Sequence, residues 1–168
     1  MPLAAGKVTP LMRWPHGAEP ERSIVHARNE LVISAPRERV WRWLVRAARW
    51  PEWYGNCGWI RFRNGSGPDL TPGTEFVWKT FGVRVKSRVV VFDPMRELGW
   101  DASAFGLTAY HGWELETLPD GTTRVVTEET QRGPLTALGR WYLRRGLLRE
   151  HQHWLEGLAR MAATGDPA

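Results

Sequence analysis

The sequence contains a single cysteine, Cys57, and no run of about 18 consecutive apolar residues. One cysteine excludes an intramolecular disulfide and any cysteine-rich zinc site. Without a long apolar run we expect no membrane span. The first residues also lack the apolar segment of a secretory signal, so we expect a cytoplasmic protein.

Lysine is scarce as well, because the 23 basic side chains are three lysines and 20 arginines, against 18 acidic residues. A net charge of +5 is compatible with nucleic-acid binding. The arginines, however, are spread along the whole chain, and no nucleic-acid recognition motif accompanies them. We therefore interpret them as a solvated surface and expect no nucleic-acid partner.

Tryptophan is abundant, with 11 residues against five phenylalanines and three tyrosines. Its large flat ring packs protein cores and also lines ligand pockets. The length of 168 residues fits one domain. We predict a proline-rich extended arm over residues 1–22, a single domain over 23–164 and a short tail over 165–168.

The order of predicted elements is strand, helix, short helix, six strands and a long helix. The first strand lies within 23–35, and Ser34 or Ala35 is expected to cap the helix that follows. Pro51 ends this helix, and the six later strands are joined by short turns that favour an antiparallel sheet. In the last helix an apolar arc runs from Leu147 to Met161, and an earlier apolar set points elsewhere, which predicts a kink or break near residues 144–146.

Three segments carry a family resemblance: "SAPRERVWRWLVRAARWPEWY" near the start, "GTEFVW" in the middle, and "YHGWELETLPDGTTRVVTEETQRG" before the last helix. In this order the chain resembles the START-like SRPBCC superfamily over residues 23–163. That superfamily includes birch-pollen-allergen type proteins and the polyketide cyclase/dehydrase and lipid-transport families. The resemblance implies an α+β helix-grip fold. In that fold a curved antiparallel sheet of about seven strands wraps a long C-terminal helix, two short helices follow the first strand, and a cavity lies between sheet and helix.

Two polar residues interrupt apolar strand faces in this pattern. His111 shares the phase of Leu107, Ala109 and Trp113, and Glu129 shares the phase of Thr127. A two-residue turn at Asp120 and Gly121 would pair His111 with Thr130 and so separate His111 from Glu129. A bulge or a three-residue loop would bring them together. We favour an arrangement in which both side chains lie on the same face of the sheet, because the apolar residues of the two strands then also share that face.

The predicted function is the binding of a hydrophobic small molecule, polyketide-, lipid- or sterol-like, in an internal cavity. His111 and Glu129 are the candidate catalytic residues, because imidazole and a desolvated carboxyl can exchange protons near neutral pH. Alternatively, each only hydrogen-bonds a neighbour and shapes the cavity. The predicted ligand-binding residues lie on the apolar faces or near the cavity mouth: Trp53, Trp59, Phe76, Trp78, Trp100, Trp113, His151 and Trp154.

Three classes of protein fit this pattern: a carrier, a cyclase/dehydrase-type enzyme, and an interaction or regulatory module without a ligand-sized cavity. We expect no cofactor. We also expect no metal, because His151 and His153 would point to opposite sides of their helix. Cys57 is predicted to be a small buried side chain.

Overall fold

The computed structural model describes residues 12–168 and shows the predicted α+β helix-grip fold. Seven antiparallel strands form one sheet in the order β1-β7-β6-β5-β4-β3-β2. Because β1 pairs with β7, the first and last strands are neighbours at one side of the sheet. The strands are β1 Val25–Ile33, β2 Trp59–Phe62, β3 Glu75–Thr80, β4 Val83–Asp93, β5 Glu97–Ala104, β6 Leu107–Thr117 and β7 Thr123–Arg132.

Two short helices, α1 (Arg37–Val45) and α2 (Trp50–Trp53), follow β1 as predicted. Pro51 does not end the first helix, as we predicted, because α1 already ends at Val45 and Pro51 lies in the first turn of α2. The predicted cap of α1 is wrong, because Pro36 occupies the cap position and no side chain caps the helix. Proline suits this position because its fixed φ and missing N–H cost nothing at a helix start.

The long helix α3 (Pro134–Thr164) packs against the concave face of the sheet, chiefly along β1, and against α1. Leu155 and Leu158 are fully buried, as the predicted apolar arc requires. The predicted break near residues 144–146 is wrong, because the helix continues through Gly146. The apolar residues in the first half of α3 lie on a different face of the helix from this arc. Two of them, Leu138 and Trp141, are exposed to solvent.

The hairpin of β6 and β7 resolves the conflict over His111 and Glu129, which are directly paired. The backbone N–H of Leu118 donates to the carbonyl of Thr122, so three residues form the turn between them. This is the three-residue loop that the shared face required. Directly paired residues of neighbouring strands lie on the same face, and both side chains therefore lie on the concave side.

The described part of the N-terminal arm, residues 12–22, covers the convex face of the sheet. Met12 is buried over Gly112, where a Cβ would lie 2.4 Å from the Met12 sulfur. The Tyr110 hydroxyl donates to the Arg13 carbonyl at 3.1 Å, and the Thr130 hydroxyl donates to the Ala18 carbonyl at 2.8 Å. This part of the arm is therefore packed against the sheet. Residues 1–11, the rest of the predicted arm, lie outside the described residues.

Candidate functional site: a cavity between the sheet and the long helix

A cavity of about 640 Å³ lies between the concave face of the sheet and α3. Small side chains leave room for it, since Ala102, Ala104 and Ala109 occupy concave positions of β5 and β6. Most of the surrounding side chains are apolar. They include Trp78, Val85, Trp100, Leu107, Leu143 and Trp154.

Three titratable side chains, which we call the triad, converge on this cavity: His111 from β6, Glu129 from β7 and His151 from α3. Glu129 Oε2 lies 3.3 Å from His111 Nδ1 and 3.3 Å from His151 Nε2. Their relative exposures are 3% for His111, 9% for Glu129 and 1% for His151. A single carboxylate oxygen therefore holds two imidazoles from different elements in a nearly dry setting.

Two neighbours orient the triad through hydrogen bonds. Gln131 Nε2 donates to Glu129 Oε1 at 2.6 Å, which occupies the second carboxylate oxygen. Thr127 Oγ1 lies 2.7 Å from His111 Nε2. The hydrogen bond to Glu129 Oε2 comes from His151 Nε2, whereas the His111 ring lies beside the same oxygen and is hydrogen-bonded through its Nε2 to the Thr127 hydroxyl.

The electrostatic setting favours a neutral His111. Burial lowers its pKa well below 6.5, and the nearby His151 lowers it further. Burial has this effect because the protein interior solvates the charged imidazolium less well than water does. The His111 side chain is therefore a neutral imidazole at neutral pH.

Residues 25–163 match the sequence profile of the family described as polyketide cyclase/dehydrase and lipid transport. The chain belongs to this family. No curated protein matches the chain significantly.

Solved structures with low sequence identity to this chain have the same fold. The hypothetical protein jhp0584 from Helicobacter pylori is 28% identical, with a TM-score of 0.84 over 90% of this chain and 95% of that one. The Zhui aromatase/cyclase from Streptomyces sp. R1128 is 16% identical, with a TM-score of 0.69 over 84% and 98%. The protein TTHA0849 from Thermus thermophilus is 19% identical, with a TM-score of 0.66 over 84% and 99%. None of the helices within residues 12–168 is long and apolar enough to cross a membrane.

Only some of the predicted ligand-binding residues of this polyketide cyclase/dehydrase and lipid transport family member line the cavity. Trp78, Trp100, His151 and Trp154 line it, as do His111 and Glu129. Four predicted residues do not. Phe76 and Trp113 are fully buried in the aromatic core, whereas Trp53 packs beside Gly157 and Trp59 lies under the Arg61 guanidinium.

Sequence reasoning missed several residues around the cavity. Gln131 could have been found, because it lies two positions after Glu129 on the same strand face. Tyr54 could not, because it follows α2 and reaches the cavity only by stacking on Trp154, with ring centroids 4.2 Å apart. The entrance residues Phe81, Phe105 and Tyr142 come from two turns and the outer half of α3, whose meeting depends on the tertiary fold.

The triad also offers the donor set of a two-histidine, one-carboxylate metal site, since its ligand atoms all lie within 4.8 Å of one another. Metal-bound histidines almost always donate their second N–H to a neighbouring acceptor. His111 has Thr127 for this purpose, but His151 Nδ1 has no hydrogen-bond partner among the described residues. His151 therefore lacks the acceptor that a metal-bound histidine usually has for its second N–H.

Two other features of the protein, the Cys57 thiol and a groove on the convex face, are weaker candidates for a functional site. Burial raises the pKa of the Cys57 thiol to about 12, so the thiolate is disfavoured. A groove of about 690 Å³ on the convex face is more open, and charged side chains such as Arg63, Lys86 and Asp101 line it. The concave cavity is the stronger candidate site, because it combines apolar walls with convergent buried polar groups.

Proposed function

We propose that the protein binds a mainly apolar small molecule, polyketide-, lipid- or sterol-like, with an oxygen atom directed at the triad. The observation that carries this proposal is the placement of three buried titratable groups on a cavity that is otherwise largely apolar. A volume of about 640 Å³ suits a small organic ligand. This volume supports a ligand-binding function over an interaction module, which would have a cavity too small for a ligand.

Unpartnered polar atoms near the triad support a ligand that carries oxygen. His151 Nδ1 and the indole N–H groups of Trp100 and Trp154 are buried without a hydrogen-bond partner among the described residues. An unsatisfied buried polar group costs about 1–3 kcal/mol. A hydroxyl group could donate to His151 Nδ1, and a carbonyl oxygen could accept from an indole. A purely aliphatic ligand would leave these atoms unsatisfied.

A buried histidine and an exposed one provide the binding test. His111→Ala should weaken ligand affinity at least tenfold, about 1.4 kcal/mol, because it removes a hydrogen-bonding group from the polar end of the cavity. His153→Ala is the control, since His153 is exposed on the outer side of α3. Tryptophan emission during titration with aromatic polyketides, fatty acids and sterols measures the affinities. Equal affinities for the two variants would contradict the role of His111.

Native mass spectrometry of the purified protein addresses the identity of the ligand. The expected result is a bound species that organic extraction releases and whose composition combines a hydrocarbon body with one or more oxygen atoms. A panel in which every candidate leaves both emission and melting temperature unchanged would count against a binding function.

The second candidate function is a cyclisation or dehydration reaction on the same bound molecule. It is favoured by the carboxylate that lies between two imidazoles at 3.3 Å. In a dehydration, a triad base would take the proton from the carbon next to a carbonyl. The C–OH bond would then break as a second group protonates the leaving oxygen, giving a C=C bond and water.

Glu129→Gln separates the carrier from the enzyme, because it keeps the shape of the side chain but removes its charge. An enzyme should retain ligand and lose at least a hundredfold in turnover, within the usual range for a general acid or base. A carrier has no turnover to lose, and ligand release is then its measurable activity.

A further inference from the structure

The entrance of the cavity is surrounded by apolar side chains that are exposed to water. Phe105 is 93% exposed, Leu138 87%, Tyr142 83% and Trp141 74%. We call the full set the apolar rim. It consists of five residues that line the cavity and two that lie next to them on α3: Phe81, Val83, Phe105, Leu135 and Tyr142, together with Leu138 and Trp141.

Three separate segments contribute to the apolar rim: the β3–β4 turn, the β5–β6 turn and the first half of α3. They meet around one opening, because Phe81, Phe105 and Tyr142 all line the cavity. Phe81 also lies beside Gly146 of α3, and Leu135 lies beside Gly106 of the β5–β6 turn. Single exposed apolar residues are common on protein surfaces, but a contiguous group around a cavity indicates an interaction surface.

The charge at this end of the molecule has one sign. Residues 79–92, 102–113 and 133–149 contain no aspartate or glutamate. The first half of α3 carries Arg140, Arg144 and Arg145, and Arg84 lies at the cavity entrance. Among residues 12–168, neither Arg140 nor Arg145 forms an ion pair, and Arg140 lies over the Trp141 ring at 5.7 Å.

We propose that the apolar rim docks the protein on an anionic lipid surface, with the cavity entrance facing the membrane. Helices that lie at membrane interfaces combine tryptophan and leucine with arginine, as the first half of α3 does. Aromatic rings of Trp and Tyr favour the headgroup region, and basic side chains favour anionic lipids. The docking goes beyond the proposed ligand binding, and the cavity need not be loaded for it to occur.

A lipid surface fits the apolar rim better than an acidic protein does. Leu138 and Phe105 are almost fully exposed and lie on different segments, so they suit insertion into a fluid headgroup layer. Such an orientation would also let an apolar ligand pass between bilayer and cavity without crossing water.

Vesicle co-sedimentation tests the docking, with phosphatidylcholine vesicles and with phosphatidylcholine–phosphatidylglycerol vesicles. The wild-type protein should bind the anionic vesicles at least tenfold more tightly, and high salt should weaken this binding. The Trp141 emission should shift to shorter wavelength on binding. Leu138→Ser combined with Trp141→Ser should reduce vesicle binding at least tenfold, with little change in melting temperature.

Two matched double variants serve as controls. Ile24→Ser with Val32→Ser removes partly exposed apolar residues away from the apolar rim and should bind vesicles like the wild type. Arg140→Gln with Arg145→Gln should weaken anionic binding about tenfold, since each basic residue near such a surface contributes about 1 kcal/mol before screening. Arg22→Gln with Arg160→Gln removes the same charge elsewhere and should have a smaller effect.

The proposal would be overturned by no binding to anionic vesicles, by equal loss of binding in the rim and control variants, or by a dimer that Leu138→Ser with Trp141→Ser dissociates. The last would show that a second copy of the chain covers the apolar rim. Selective binding of the rim to an acidic protein, with no vesicle binding, would also contradict a lipid partner. Ala109→Phe, which fills the cavity, should still bind vesicles, so failure of ligand binding and failure of docking are distinguishable.

Discussion

The space between the sheet and α3 has a closed end filled with tryptophan and an open end that is hollow. At the closed end, Trp50 contacts Trp78, Trp100 and Trp154, with ring centroids 5.0–5.7 Å apart. At the open end, Ala102, Ala104 and Ala109 occupy equivalent concave positions. The same curved backbone therefore gives a core or a cavity according to side-chain volume.

The triad lies at the boundary between these two ends. His111 stacks on Trp113 at 5.4 Å and contacts Trp100 at 4.8 Å, yet it also lines the cavity. Aromatic rings on one side exclude water from the imidazole, and the hollow on the other side leaves room for a ligand. This boundary position explains how a buried histidine also lines the cavity.

Removing a tryptophan from the closed end should have the largest effect on stability. Trp50 is fully buried, and its indole donates to the Leu44 carbonyl at 3.0 Å. Trp50→Ala should lower the free energy of unfolding by about 3–5 kcal/mol through lost contacts and a new void. Trp141→Ala at the exposed apolar rim should change it by less than about 0.5 kcal/mol. Denaturant titration measures both, and similar losses would remove the distinction between the two ends.

The pH dependence of stability shows whether the triad is as dry as the closed end. The pKa of His111 is lowered in the folded protein, so the unfolded chain binds the extra proton first. The contribution of neutral His111 is complete above about pH 6.5 and is lost as the pH falls below that value. Between about pH 6.5 and about pH 5 the free energy of unfolding should fall by up to about 2 kcal/mol.

His111→Asn is the matched variant for this measurement, because it cannot titrate. Its unfolding should depend on pH less steeply than that of the wild type over the same range. Identical slopes for the two proteins would indicate a solvated imidazole at the boundary.

Two glycines of α3 give the smallest and most direct contrast. A Cβ at Gly157, where α3 packs against α2, would lie 2.9 Å from the Trp53 ring and 3.2 Å from the Trp53 carbonyl oxygen. At Gly139, by the cavity, the nearest atom would be Leu143 Cδ1 at 3.4 Å. Gly139→Ala should stabilise the protein by about 0.5–1 kcal/mol through helix propensity. Gly157→Ala should destabilise it by about 1 kcal/mol, because overpacking outweighs that gain. Thermal unfolding compares them, and a stabilised Gly157→Ala variant would contradict tight packing between α2 and α3.

The sequence predicted the elements that depend on local pattern. Alternation placed His111 with Ala109 and Trp113, and the apolar arc of the last helix placed Leu155 and Leu158 in the core. The hairpin register was ambiguous, because it depends on whether the turn holds two or three residues. The local sequence is compatible with both turn lengths.

Other features require contacts that no local pattern contains. The packing of Met12 over Gly112 joins segments 100 residues apart. The meeting of Glu129 with His151 depends on how α3 lies across the sheet. Local pattern also does not separate the closed end from the open end, because a tryptophan in the core and one on the cavity wall occupy the same strand phase. Phe76 and Trp113, predicted to bind ligand, belong to the core for this reason.

Titration of the wild-type protein and Ala109→Phe with the same ligand panel tests the central claim most directly. Ala109 lies on the concave face beside His111, and a phenylalanine there would occupy the hollow without disturbing the closed end. We expect saturable quenching of tryptophan emission for the wild type. For the variant we expect at least a hundredfold weaker binding, about 2.7 kcal/mol, with stability within about 1.5 kcal/mol of the wild type. Equal binding by the two proteins would show that the ligand does not enter this cavity, and the account of the site would be wrong.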